Sequence, residues 1–126
     1  MSAIEQVRAL AAGEPRLALL VLYGSRARGV ARPDSDWDFG FLAADGFDVE
    51  SFRGALVRMV QCDDIDLVDL RRASAQLRYR AAGEAVVIVD RGGAFEAFWL
   101  AAVSYWLDMQ DVIRAEYAGV LERLSP

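Results

Sequence analysis

The sequence contains no histidine, lysine, threonine or asparagine, and a single cysteine, Cys62. Without histidine there is no Ser-His-Asp triad, no Cys-His pair and no imidazole metal ligand; without lysine there is no Schiff base and no Walker-type phosphate lysine. One cysteine cannot close an internal disulfide. Chemistry therefore falls to carboxylates, arginines, hydroxyls and the backbone. Long apolar runs are also missing. Leu17 to Tyr23 is far short of the roughly 20 residues that span a bilayer, and Glu96 and Asp108 bracket the apolar stretch near the C-terminus, so no membrane segment is expected. The N-terminal stretch carries Glu5 and no apolar signal region, which with the lone cysteine leads to the expectation of a cytoplasmic protein.

What is present is acidic. The 126 residues carry 19 Asp and Glu against 14 Arg, a formal net charge of -5, which argues against broad electrostatic binding to nucleic acid. The length suits one domain over residues 1–126, and the hydrophobic fraction of 55% includes 21 alanines that suit helix surfaces as well as core.

Apolar spacing predicts alternating helices and strands. Ser2 with Glu5 makes a capping box for a helix over 2–12 that stops at Gly13. Arg16 to Tyr23 reads as a buried strand, followed by an Arg-rich turn or helix over 25–31. From Asp36 to Leu42 the period is two: Asp36, Asp38 and Gly40 share one face, and Trp37, Phe39 and Phe41 point to the core on the other. A helix follows within 47–61 with Asp48 as its cap, then a third strand from Asp64 to Leu70. Ala73 to Ala82 reads as a helix closed by Gly83, with Asp69 as its cap, and Ala85 to Val89 as a fully buried fourth strand. One long helix or two shorter ones fill 94–124, apolar on more than one side, so that part of the surface is expected to meet a partner. The expected class is α/β (α+β): a small sheet flanked by helices with a long C-terminal helical segment.

The chemistry concentrates in Gly24-Ser25 at the end of a buried strand, ten residues, then Asp36-Trp37-Asp38 on the next strand. Side chains two apart in a strand lie on one side, so two carboxylates sit together and call for a cation between them; oxygen-loving Mg²⁺ suits such a site and completes its shell with phosphate oxygens and water. Gly24 lets a phosphate approach the backbone, Ser25 offers a hydroxyl and nearby N–H groups, and Arg26 and Arg28 add positive charge. Either Asp64 or Asp66 can supply a third acid, since both lie on one face of the third strand. Arg71, Arg72, Arg78 and Arg80 form a candidate patch toward a nucleotide or an acidic partner, or a solvated face. Tyr23 is core or pocket wall. Cys62 has no base beside it and is not a nucleophile.

These residues resemble the signature of the DNA polymerase β-type nucleotidyltransferases, and the strings GSRARG, DIDLVDLRRAS and LRYRAAGEAVVIVDR resemble, more narrowly, the minimal nucleotidyltransferase antitoxins encoded beside HEPN-domain toxins. The resemblance implies that fold with its mixed sheet, and that Asp36, Asp38 and Asp66 are the catalytic and metal-binding acids, holding two Mg²⁺ ions, with Asp66 favoured because the family acid precedes Leu-Val-Asp-Leu. It implies that Gly24 and Ser25 hold the β- and γ-phosphates of ATP, where the charge of Arg26 and Arg28 makes them further candidates for binding the nucleotide. The implied reaction is transfer of AMP to a hydroxyl, a tyrosine's, on a HEPN ribonuclease toxin, which would be an α-helical protein encoded by the adjacent gene. At this length no added helical domain of the kind that holds small acceptors is expected, so the acceptor surface would belong to the partner. A small-molecule acceptor, or an inactive antitoxin that neutralises by binding alone, are the alternative readings.

Overall fold

The structure, a computed structural model, describes residues 1–124. Helix α1 (Ala3–Ala12) opens with the Ser2 hydroxyl accepting from the Glu5 N–H at 3.1 Å and ends at Gly13. Strands β1 (Leu17–Tyr23) and β2 (Trp37–Ala43) pair antiparallel. Helix α2 (Val49–Val60), capped by Asp48 on the Ser51 N–H, crosses over to β3 (Ile65–Asp69), which pairs parallel to β2. Helix α3 (Ala75–Glu84) leads to β4 (Val86–Asp90), antiparallel to β1, and α4 (Ala94–Leu124) is one helix of 31 residues. The sheet order is β3-β2-β1-β4, mixed as expected.

The central position of β1 explains its unbroken apolar run, because both of its faces are covered. Leu20 and Leu22 join Trp37, Phe39, Phe41, Ile65 and Ile88 under α1 and α2. Leu19, Val21 and Tyr23 face the other way and pack with Leu70 and with Ala81, Ala82, Phe98 and Ala102 of α3 and α4. Each fully buried large side chain stabilises by about 1.5–3 kcal/mol relative to exposure. Gly40 permits one of these contacts: a Cβ there would come within 2.8 Å of Leu70 Cδ2.

Three local expectations are corrected. Helix α3 is capped by the Ser74 hydroxyl, which accepts from the Leu77 N–H, while Asp69 caps a turn by accepting from the Arg71 N–H. Gly83 lies inside the last turn of α3, and the helix ends at Ala85 with extended backbone. Strand β4 is an edge strand in which only Ile88 is buried, because nothing pairs with its outer side. Among the described residues no helix is long and apolar enough to cross a membrane.

Candidate active site

Register places Tyr23 of β1 beside Asp38 of β2, and Asp38 beside Asp66 of β3. Residues directly opposed on neighbouring strands share a face. Tyr23, Asp38 and Asp66 therefore form one row across the sheet, on the face that carries α3 and α4. β1 ends at this row and β2 and β3 begin there, so the turn after β1 lies against the acids.

That turn is shaped by Gly24, which is buried and has φ +78, a conformation that costs other residues about 1–2 kcal/mol. A Cβ at Gly24 would lie 2.3 Å from Asp38 Oδ2, so the missing side chain is the space that the carboxylate occupies. Ser25, Arg26 and Ala27 follow half-buried, and the turn is closed by Arg28 N–H to Gly24 O and Val30 N–H to Ser25 O, both at 3.1 Å.

The site holds its negative charge under tension. Burial raises the Asp38 carboxyl above the usual carboxylate range; Asp66 pushes it the same way, as do Asp36 and Glu84, and only Arg80 opposes them. Tyr23 is pushed up to about 12, first by burial and then by Asp38 and Asp66, so its phenol stays protonated. Asp36 stands one residue before β2, exposed, and with Arg53, Asp63, Asp64 and Asp66 lines a depression of about 250 Å³. Of the two candidates for a third acid, Asp66 is the one paired with Asp38, whereas Asp64 gives its carbonyl to the Trp37 N–H at 2.9 Å and is absent from the charges that act on Asp38.

The donor set suits a hard cation: all oxygen, in excess of neighbouring positive charge, with the Gly24 cradle leaving the Asp38 carboxylate room beside the turn. Among the described residues no three such ligands are gathered into a closed metal cluster. A divalent ion between the acids would offset their mutual repulsion.

The arginines divide by location. Arg26 donates from Nε and Nη2 to Ser35 O at 3.1 and 2.9 Å, and from Nη2 to Pro33 O at 3.3 Å, with its guanidinium carbon 4.3 Å from the Trp37 ring centroid. It thus holds the backbone that delivers Asp36. Arg80 Nε donates to Glu84 Oε1 at 2.7 Å, Arg28 Nε lies 3.4 Å from Glu84 Oε2, and the Arg80 guanidinium stands 5.8 Å from the Tyr23 ring centroid. The Glu84 hydrogen bond holds Arg80 more firmly charged, against a smaller opposing effect of burial. The four-arginine patch does not form: Arg71 bonds to Ala43 O at the far end of β2, Arg72 lies against Asp69, and of the four only Arg80 acts on the acid row. The sequence alone does not single out Glu84, whose one local signal is the i,i+4 spacing from Arg80.

Residues 5–93 match the family model described as polymerase beta nucleotidyltransferase. The chain is 30% identical over 98 residues to the protein adenylyltransferase MntA of Aphanizomenon flos-aquae, covering 67% of this chain and 65% of that protein. It is 41% identical over 66 residues to the protein adenylyltransferase MntA of Shewanella oneidensis, covering 50% of this chain and 47% of that one. The matches thus span 65% and 47% of these curated relatives' length, less than two thirds in either case. In three dimensions the chain is similar to a toxin–antitoxin crystal structure with AMP-PNP, at TM-score 0.76 and 27% identity over 94% of this chain and 98% of the other.

Proposed function

The chain belongs to the polymerase beta nucleotidyltransferase family, and on that premise we propose that it transfers AMP from ATP to a hydroxyl, a tyrosine's, of a HEPN ribonuclease toxin and so acts as its antitoxin. The observation that carries this reading is the acid row: Asp38 seated in the space left by Gly24, with Asp66 beside it and Asp36 at the strand entrance. The relatives named adenylyltransferases and the fold shared with a nucleotide-bound toxin–antitoxin support the choice of AMP and of partner.

In this reading the oxygen of the acceptor hydroxyl bonds to the α-phosphorus of ATP as the bond to pyrophosphate breaks. Asp66 takes the proton from the hydroxyl, and Asp36, Asp38 and Asp66 would hold Mg²⁺, two ions. Bound there, the metal supplies charge stabilisation for the attacking and departing oxygens. Gly24 allows the β- and γ-phosphates to reach the turn, and Ser25 offers them its hydroxyl. Arg80, the cation that acts on Asp38, and Arg28, joined to it through Glu84, are offered to the triphosphate; Arg26 is a positioning residue that fixes the turn before Asp36. Tyr23, protonated, is a wall of the site and not a nucleophile. The protein works as one minimal nucleotidyltransferase domain, in the cytoplasm, and binds no nucleic acid directly.

Incubation with the HEPN partner and ATP labelled at either the α- or the γ-phosphate tests the proposal. Label from the α-position is expected on the partner, and none from the γ-position. Label from the α-position in a new small molecule, distinct from ATP and its breakdown products, would move the acceptor to a metabolite, and neutralisation of the toxin without labelling would leave binding alone.

A further inference from the structure

Helix α4 is about 46 Å long at 1.5 Å per residue, and the domain covers only its first part. Phe98 and Ala102 are its buried residues. Beside them runs a second stripe with alternating spacings of four and three: Trp99, Val103, Trp106, Gln110, then Ile113, Tyr117 and Val120. That spacing is the seam of a helix pair. Helix α3 meets the stripe at its beginning, where Tyr79 stacks on Trp106 at 5.3 Å between centroids, and Trp99 and Val103 share a cavity with Tyr79 and Gly83. Beyond Gln110 the stripe continues into solvent: Ile113 is 45%, Tyr117 68% and Val120 41% exposed, and these three with Glu116 line a groove of about 250 Å³. Contiguous exposed apolar surface of this kind marks an interaction site.

We infer that this distal seam of α4 is the docking surface for a helix of the HEPN partner, one with its own apolar stripe and a basic residue opposite Glu116. The inference rests on the function proposed above. A second copy of this chain fits the seam badly. Run parallel, a second α4 would have to lie where α3 already meets the stripe. Run antiparallel, with Ile113 opposite Tyr117 of the copy, the seam would set Arg114 against Arg114 and Glu116 against Glu116 on its two flanks, a like-charge repulsion at the centre of the contact. Arg114 already has Asp111 within 3.9 Å, which leaves Glu116 as the flanking charge beside the groove. Residues 107–124 carry Asp108, Asp111, Glu116 and Glu122 against Arg114 and Arg123, a net of -2 on a chain of net -5, so complementarity selects a basic partner.

The test is binding of the purified HEPN partner, followed by calorimetry and by light scattering on the eluted complex, for the wild type, for Ile113→Asp with Tyr117→Ser, and for Glu116→Arg. All three positions are exposed, and unchanged melting temperatures establish that the variants fold. Loss of two apolar anchors is expected to weaken the complex about 30-fold or more, and charge reversal at Glu116 about tenfold, with the latter effect shrinking in high salt. AMP transfer by the double variant should recover at high partner concentration, a change in KM and not in kcat. Unchanged affinity in the double variant would overturn the inference, as would a wild-type homodimer that the same substitutions dissolve. Asp36→Asn with Asp38→Asn separates the two readings: a complex of wild-type affinity without transfer supports docking by α4 independently of the chemistry. A wild-type complex that depends on the seam yet transfers no AMP would leave docking standing while the proposed reaction fell.

Discussion

The two faces of β2 come from alternate residues of one seven-residue strand, yet they meet opposite environments. Trp37, Phe39 and Phe41 are sealed under α1 and α2, with Phe39 fully buried and its ring stacked 5.9 Å from that of Trp37. One position along, Asp38 is crowded by Asp66 and Asp36 and held in a partly buried place where its charge is disfavoured. The first face stabilises the domain; on the second, beside an apolar cluster of its own, the carboxylates at the strand entrance work against it. Such opposition within a few ångströms suits a site for a cation and a phosphate, because a bound cation would relieve the repulsion between the acids.

Substitutions on the two faces should therefore separate activity from stability. Removing the acids as Asp36→Asn with Asp38→Asn is expected to lower AMP transfer by about a thousandfold or more, some 4 kcal/mol of barrier, while the melting temperature at pH 8 rises; transfer rates and thermal unfolding measure the two sides. The opposite face should respond in reverse. Phe39→Ala is expected to cost about 3–5 kcal/mol of stability in denaturant unfolding, with activity per folded molecule largely kept.

Gly24 belongs to both aspects of the strand. Gly24→Ala forces a strained φ, about 1–2 kcal/mol, and drives a methyl into the Asp38 carboxylate; transfer is expected to fall about 10–100-fold from a displacement near 1 Å, read from kcat at saturating ATP. The smallest effect is in pH. Asp38 titrates above its unfolded value, so its contribution to stability is complete below the ordinary carboxylate range and is lost as pH rises through the raised value. Wild type minus Asp38→Asn should then show stability falling with pH across that window. Added Mg²⁺, which competes with the proton, should raise the wild-type melting temperature more at pH 8 than at pH 5 and leave the double acid variant unmoved.

How much of this was legible in the sequence differs between the same two faces. The strand itself, and which residues it sends each way, follow from period two in Asp36 to Leu42, and the core role of Trp37, Phe39 and Phe41 is as expected. The pairing of Asp38 with Asp66 needs the parallel register of β3, which no local pattern encodes. Arg28 and Glu84 are 56 positions apart in the chain and meet only because α3 returns to the end of β1, so Glu84 had no more than a helical i,i+4 spacing to mark it. The cap of α3 is ambiguous in the sequence for a local reason: Asp69 and Ser74 are both good caps, and the turn over 70–73 takes the first before the helix begins. The partial exposure of β4 was illegible because a continuous apolar run says nothing of which sheet edge it will occupy. Helix α4 is the clearest case of a pattern read correctly as apolar on several sides, with its exposed part visible only once α3 was in place.

The central claim is that the acidic face of β2 transfers AMP to a partner protein. Intact-mass spectrometry of the HEPN partner, after incubation with this chain, Mg²⁺ and ATP, tests it most directly. The account predicts a gain of one or more AMP units with the wild type and none with the Asp36→Asn, Asp38→Asn variant. An unmodified partner in a stable complex with the wild type, or the same mass gain with the variant, would contradict it.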